Sequence, residues 1–189
     1  MNRRRFLTGA VGAGAVALGS PLVATAGAAT EDDLAFANFG ASAEFLVKNY
    51  YTKAIEAKLF TGAKKNALKR GKSYAAQHVK ALSDRLVGAG DVAPLEEDFE
   101  FVWPARTFKT EKDAVATGVE VLHALLGAYQ TAAATVTEQS DRVLYASLTA
   151  SVAQQVSVLA AFEGGHAVEP FPVATDLETA SDALENYLG

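Results

Sequence analysis

Apolar residues recur at helical spacing along four long segments of the chain. In the first, Leu34, Ala37, Ala41, Val47, Tyr51 and Ile55 repeat behind Thr30, with Asp33 three residues on as the partner of a capping box. This predicts an amphipathic helix to about Leu59. In the second, Ala75, Val79, Leu82 and Leu86 share one face, and Gly88 or Gly90 supplies the stop. Thr110 caps the third, again with an aspartate, Asp113, at its third position. The fourth carries no charge between Arg142 and Glu163. Residues 91–110 break the pattern with Pro94, the acidic run Glu96-Glu97-Asp98 and the alternating aromatics of Phe99-Glu100-Phe101-Val102-Trp103-Pro104. That is a long crossover laid over the core, with Trp103 placed to seal one end of a bundle. Thr175-Asp176-Leu177-Glu178 forms a last capping box before a short helix, whose Leu177, Leu184 and Leu188 can dock on the bundle or on a partner. The expected fold is all-α: an antiparallel four-helix bundle with a long crossover between helices 2 and 3 and a short C-terminal helix.

The third and fourth segments approach membrane-spanning length. Gln130, Ser147, Thr149, Ser151, Gln154, Gln155 and Ser157 make them too wet for that, and alanine dominates over leucine. They read as buried helices, with no transmembrane span in the mature chain.

Ahead of the helical pattern stands Asn2-Arg3-Arg4-Arg5-Phe6-Leu7-Thr8, followed by an uncharged Gly-, Ala- and Val-rich run to Leu18. This looks like a twin-arginine export signal. Ala26-Gly27-Ala28 offers small residues for cleavage after Ala28. The alternative is an uncleaved anchor, with the apolar stretch extended through Val23. The expected division is a signal peptide over residues 1–28, a four-helix bundle over 29–170 and the amphipathic helix over 171–189. The twin-arginine translocation machinery is then a partner, and the protein is exported, periplasmic or extracellular, or membrane-attached if the signal is retained. Gly12-Ala13-Gly14-Ala15-Val16-Ala17 resembles a dinucleotide fingerprint by letters but lacks the preceding strand.

Removing the signal takes away three arginines and no acid, so the net charge of -5 becomes -8. Such an acidic chain is poorly suited to nucleic acid. With no cysteine there are neither disulfides nor thiolate ligands. Basic residues concentrate between Lys48 and Arg85. The cluster from Lys64 to Lys72 reads as a solvated helix face, the alternative being contact with anionic lipid or a partner.

Glu44 is the only charge between Asp33 and Lys48 and lies among Ala41, Ala43, Phe45, Leu46 and Val47, where an unpaired carboxylate is costly to desolvate. His78 lies on the apolar face of the second helix. Glu120 and His123 stand one turn apart on the third. Carboxylates and imidazoles from facing helices suit a non-haem iron or manganese site. The same residues also suit a structural role, as a hydrogen-bonded core histidine and a carboxyl paired with it. Three histidines give no Ser-His-Asp arrangement, and His166 in Gly164-Gly165-His166 reads as an exposed loop residue.

Over about residues 31–163 the chain is similar to exported members of the ferritin-like superfamily, especially the desiccation-related, ferritin-like-domain group. The matching stretches are Leu34–Leu46 around Glu44, Ala75–Leu82 around His78, Phe99–Phe108, Val119-Glu120 and Gly127-Ala128-Tyr129. The resemblance implies a di-metal pattern of Glu on helix 1, Glu-x-x-His on helix 2, Glu on helix 3 and Glu-x-x-His on helix 4. Glu44, His78 and Glu120 match it. Ala75, Ala153 and Val156 replace the other ligands, and His123 is an off-pattern imidazole. The implied function is that of an exported binding or structural protein rather than an enzyme, in stress or iron handling. Its site, Glu44, His78, Glu120 and His123, is either vestigial with no cofactor or holds a single iron or manganese, and the chain is a possible homo-oligomer. The alternative is a cofactor-free small subunit or export companion of a periplasmic oxidoreductase.

Overall fold

The computed structural model describes residues 30–164 and 172–189; the segment read as a signal peptide and His166 lie outside them. Among these residues five α-helices follow in order: α1 (Glu31–Glu56), α2 (Gly62–Gly88), α3 (Glu111–Thr135), α4 (Gln139–Ala161) and α5 (Leu177–Glu185). Short connections fold α1 against α2 and α3 against α4. The two hairpins then face each other through α1 with α3 and α2 with α4. This is the four-helix bundle that the periodicity predicts, with the short C-terminal helix added.

The caps explain the starts. Thr30 and Asp33 form the reciprocal capping box of α1, and the Asp113 amide donates to Thr110 at 3.0 Å. Asp33 does more than cap. Its carboxylate accepts from the Thr137 amide at 3.1 Å and from the Thr137 hydroxyl at 2.5 Å, tying the start of α1 to the α3–α4 turn. Burial alone would raise this carboxyl, but the Thr137 and Thr30 hydrogen bonds together hold it below its ordinary value. At the same end, Arg85 of α2 donates to Asp141 of α4 at 2.6 Å.

The crossover holds a single 3₁₀ turn, Glu96–Asp98, pinned to α1 by the Lys48–Glu96 ion pair at 2.6 Å. Its extended aromatic part meets the chain's last residues. Phe101 and Leu188 form an antiparallel bridge, the Val102 amide donates to the Tyr187 carbonyl at 2.9 Å, and the Gly189 amide donates to that of Glu100 at 2.9 Å. Trp103 lies between these parts, with its ring 5.9 Å from that of Tyr50 and 5.1 Å from that of Tyr187, and its indole N–H donates to Asn49. It closes the bundle end as expected.

Two expectations need correction. The N-cap of α5 is Asp176, not Thr175: the Asp176 carboxylate accepts from the Thr179 amide at 2.7 Å. Thr175 is engaged with α3, donating its amide to the Gly127 carbonyl and accepting from the Thr131 hydroxyl. Nor is α4 buried all round. It is the one helix among the described residues long and apolar enough to cross a membrane, and a third of that stretch is buried. Val143 and Val158 stand on its exposed side. The apolar side of α5 is spent on this bundle, with Ala180 and Leu184 buried and Leu177 packed against the core, while Leu188 packs there from beyond the helix end.

Candidate functional site at the bundle centre

Glu44 sits mid-way along α1 with its side chain fully buried. A carboxyl there must find partners, and two neighbouring helices supply them at the same oxygen. His78 of α2 places Nδ1 2.8 Å from Glu44 Oε1, and the Tyr129 hydroxyl of α3 donates to Oε1 at 3.2 Å. The second oxygen, Oε2, is buried without a hydrogen-bond partner. Tyr129 reaches this position because Gly40, one turn before Glu44, lacks a side chain. A Cβ at Gly40 would lie 3.0 Å from the Tyr129 ring and 3.1 Å from its hydroxyl.

Burial dominates the electrostatics. It raises the Glu44 carboxyl above its ordinary value, and the hydrogen bond and charge of His78, followed by the Tyr129 hydrogen bond, pull it part of the way back. The Tyr129 hydroxyl is pushed well up, first by burial and then by the Glu44 charge. The neighbouring Tyr51 phenol is raised in the same way, by burial, by Tyr50 and by Glu44. The centre therefore sets a carboxyl that holds its proton more tightly than usual against an imidazole nitrogen, inside a wall of phenols that remain protonated at physiological pH.

Glu120 and His123 point elsewhere. Both are exposed. They line a surface cleft of about 300 Å³ with Leu126, Val173 and Thr175, on the side of α3 where α5 packs. Glu120 acts on Tyr187: burial pushes that hydroxyl up to about 12, with the Glu120 charge and hydrogen bond adding to it. Thus the structure brings Glu44 and His78 together and leaves Glu120 and His123 apart from them. Among the described residues no three His, Asp or Glu side chains gather in a way that could hold a metal ion.

A family model for the ferritin-like domain matches residues 32–164. The chain belongs to the ferritin-like domain family. No curated protein and no solved structure matches it. A di-metal centre in a ferritin-like bundle draws on carboxylates from all four helices and two histidines. This ferritin-like domain offers one carboxylate and one imidazole at its centre. Ala75 and Val156, at two of the ligand positions, are buried and contribute only methyl groups, while Ala153 is half-buried. The residues present do not fit a bridged pair of metals.

Sequence reasoning missed two residues that shape this region. Tyr129 lies within the Gly127-Ala128-Tyr129 stretch quoted for its resemblance, yet nothing in that spacing names Glu44 as its partner. Gln155 was legible only as one of several polar residues in an apolar helix. It is buried, and its Oε1 accepts from the Tyr51 hydroxyl at 2.9 Å.

Proposed function

We propose that this protein is an exported ferritin-like domain that serves as a binding or structural protein, its metal site reduced to the Glu44–His78 pair. The observation that carries this reading is the donor set around Glu44: one imidazole and one phenol share a single carboxylate oxygen, and the two further ligands expected from α3 face outward. A first-row divalent ion prefers three or more protein donors. A buried carboxyl that shares one oxygen between a histidine and a tyrosine instead takes its partners from within the protein at that oxygen, which suits a structural role in a stress or iron-handling context.

The export half of the proposal rests on Arg3-Arg4-Arg5-Phe6-Leu7 and the uncharged run after it. Replacing Arg3 and Arg4 together by Lys is expected to leave the full-length precursor in the cytoplasm, as read by fractionation and immunoblotting. Normal secretion of the double variant would refute a twin-arginine route.

A second reading, as a companion subunit of an exported oxidoreductase, is favoured by the outward side of α4. This acidic chain keeps it free of charge from Val143 to Ala161. A recovered stoichiometric complex with a flavin- or haem-bearing partner would support it.

A further inference from the structure

We propose that the cleft between α2 and α4 binds a small organic carboxylate with a flat apolar body. The cleft has a volume of about 220 Å³, and its lining includes Tyr51, Arg70, Tyr74, Gln154, Gln155 and Val158. At ~30 Å³ for each liquid water, that is room for about seven waters, or for one ring and a short acid arm.

Its floor is a buried polar group with unfinished hydrogen bonding. Gln155 is 5% exposed, and its Oε1 accepts from the Tyr51 hydroxyl. That bond leaves Nε2 a buried donor with no partner, on a side chain that lines the cleft. Leaving an amide N–H₂ buried without an acceptor is costly, and a small turn of the Gln155 side chain toward an acceptor oxygen in the cleft removes the cost. A water could supply one, but the rim selects for something more.

Arg70 stands exposed at the mouth, and none of the ion pairs among the described residues engages it. It is a free guanidinium on the same cleft as a free amide donor, and both ask for an oxygen acceptor, the first for an anionic one. Tyr74 and Val158 add apolar surface on opposite helices, 42% and 43% exposed. A carboxylate satisfies the two donors, and a planar apolar body fills the space between the tyrosine ring and the valine. The proposal gives the binding role above a ligand class and rests on that role. Its test involves no metal or export step, so the two can fail separately.

The probe is phenylacetate, titrated into the ¹⁵N-labelled mature chain and followed by amide chemical shifts, with phenylacetamide, acetate and inorganic phosphate as comparisons. Saturable shifts are expected around Arg70, Tyr74, Gln155 and Val158, with affinity falling about tenfold for phenylacetamide and about tenfold in Arg70→Ala. Gln155→Leu is expected to weaken binding about fivefold. Because that change touches the core, the exposed Arg70→Ala variant keeps the test decisive if Gln155→Leu fails to fold. Shifts that do not saturate in the millimolar range, shifts that map elsewhere, or equal affinity for phenylacetamide would overturn the proposal. Phosphate or acetate binding as tightly as phenylacetate would overturn the flat-body class and leave only a general anion site.

Discussion

His78→Ala is expected to destabilise the folded chain by about 3 kcal/mol at neutral pH, because it leaves Glu44 buried with its charge partner gone. The effect has a definite pH dependence. The Glu44 carboxyl is raised above 4.5 in the folded state, so the native protein holds that proton more tightly than the unfolded chain does. Its contribution to stability is therefore full below about 4.5 and is lost as pH rises through the folded value. His78 is the main group limiting that loss, by hydrogen bond and charge. Removing it steepens the decline, so the variant should differ from wild type much less near pH 4, where only the small cavity remains, than at pH 7. Glu44→Gln keeps the shape and the hydrogen bonds to His78 and Tyr129 while removing the titration. It should match or exceed wild-type stability at neutral pH and rescue most of the loss when combined with His78→Ala. Urea unfolding of the four proteins at both pH values measures this. An equal cost of His78→Ala at both values would contradict the pairing.

The second large effect is expected from one methyl group. At Gly118 on α3, a Cβ would sit 2.2 Å from the Tyr50 hydroxyl oxygen and 2.3 Å from the ring carbon that bears it. Tyr50 cannot move away cheaply. It is fully buried, its hydroxyl donates to the Ala114 carbonyl at 2.8 Å, and its ring lies against Tyr51, Trp103 and Phe108. Gly118→Ala should therefore cost about 3 kcal/mol by overpacking, despite the better helix propensity of alanine. Gly88→Ala, at the end of α2 where nothing lies within 4 Å, is the control and should be neutral or slightly stabilising. Thermal melts of the two variants side by side read the difference. A Gly118→Ala protein that melts with Gly88→Ala would mean that α1 and α3 do not approach as closely as described.

These contrasts mark what could be read from the residues. Helix starts were legible where a hydroxyl and an aspartate stand three apart, as at Thr30 and Thr110, and at Asp33 the cap persists although Thr137 bonds the same carboxylate. At Thr175 the same signature misled by one residue, because α3 takes the Thr175 backbone into a tertiary contact and leaves Asp176 to cap. The crossover's extended aromatics were legible. Their pairing with the chain's end was not, since a bridge between Phe101 and Leu188 depends on where α5 docks. At the centre, Glu44 and His78 stood out because each is polar on an apolar stripe. Glu120 and His123 look equivalent by spacing, yet the inward stripe of α3 runs through Gly118, Leu122, Leu125 and Tyr129, which turns both toward solvent. The small and aromatic residues carry the registration of α3 against α1, and a search for charged ligands passes over them.

Calorimetric titration of the purified mature domain with Fe(II), Mn(II) and Zn(II) under anaerobic conditions tests the central claim most directly. A centre made of one carboxyl, with one imidazole and one phenol already bonded to the same carboxyl oxygen, predicts no saturable one-to-one binding of any of the three ions, and no difference between wild type and Glu44→Gln. Stoichiometric binding of one of them, abolished by Glu44→Ala and by His78→Ala, would contradict the account and restore a working metal site to the bundle.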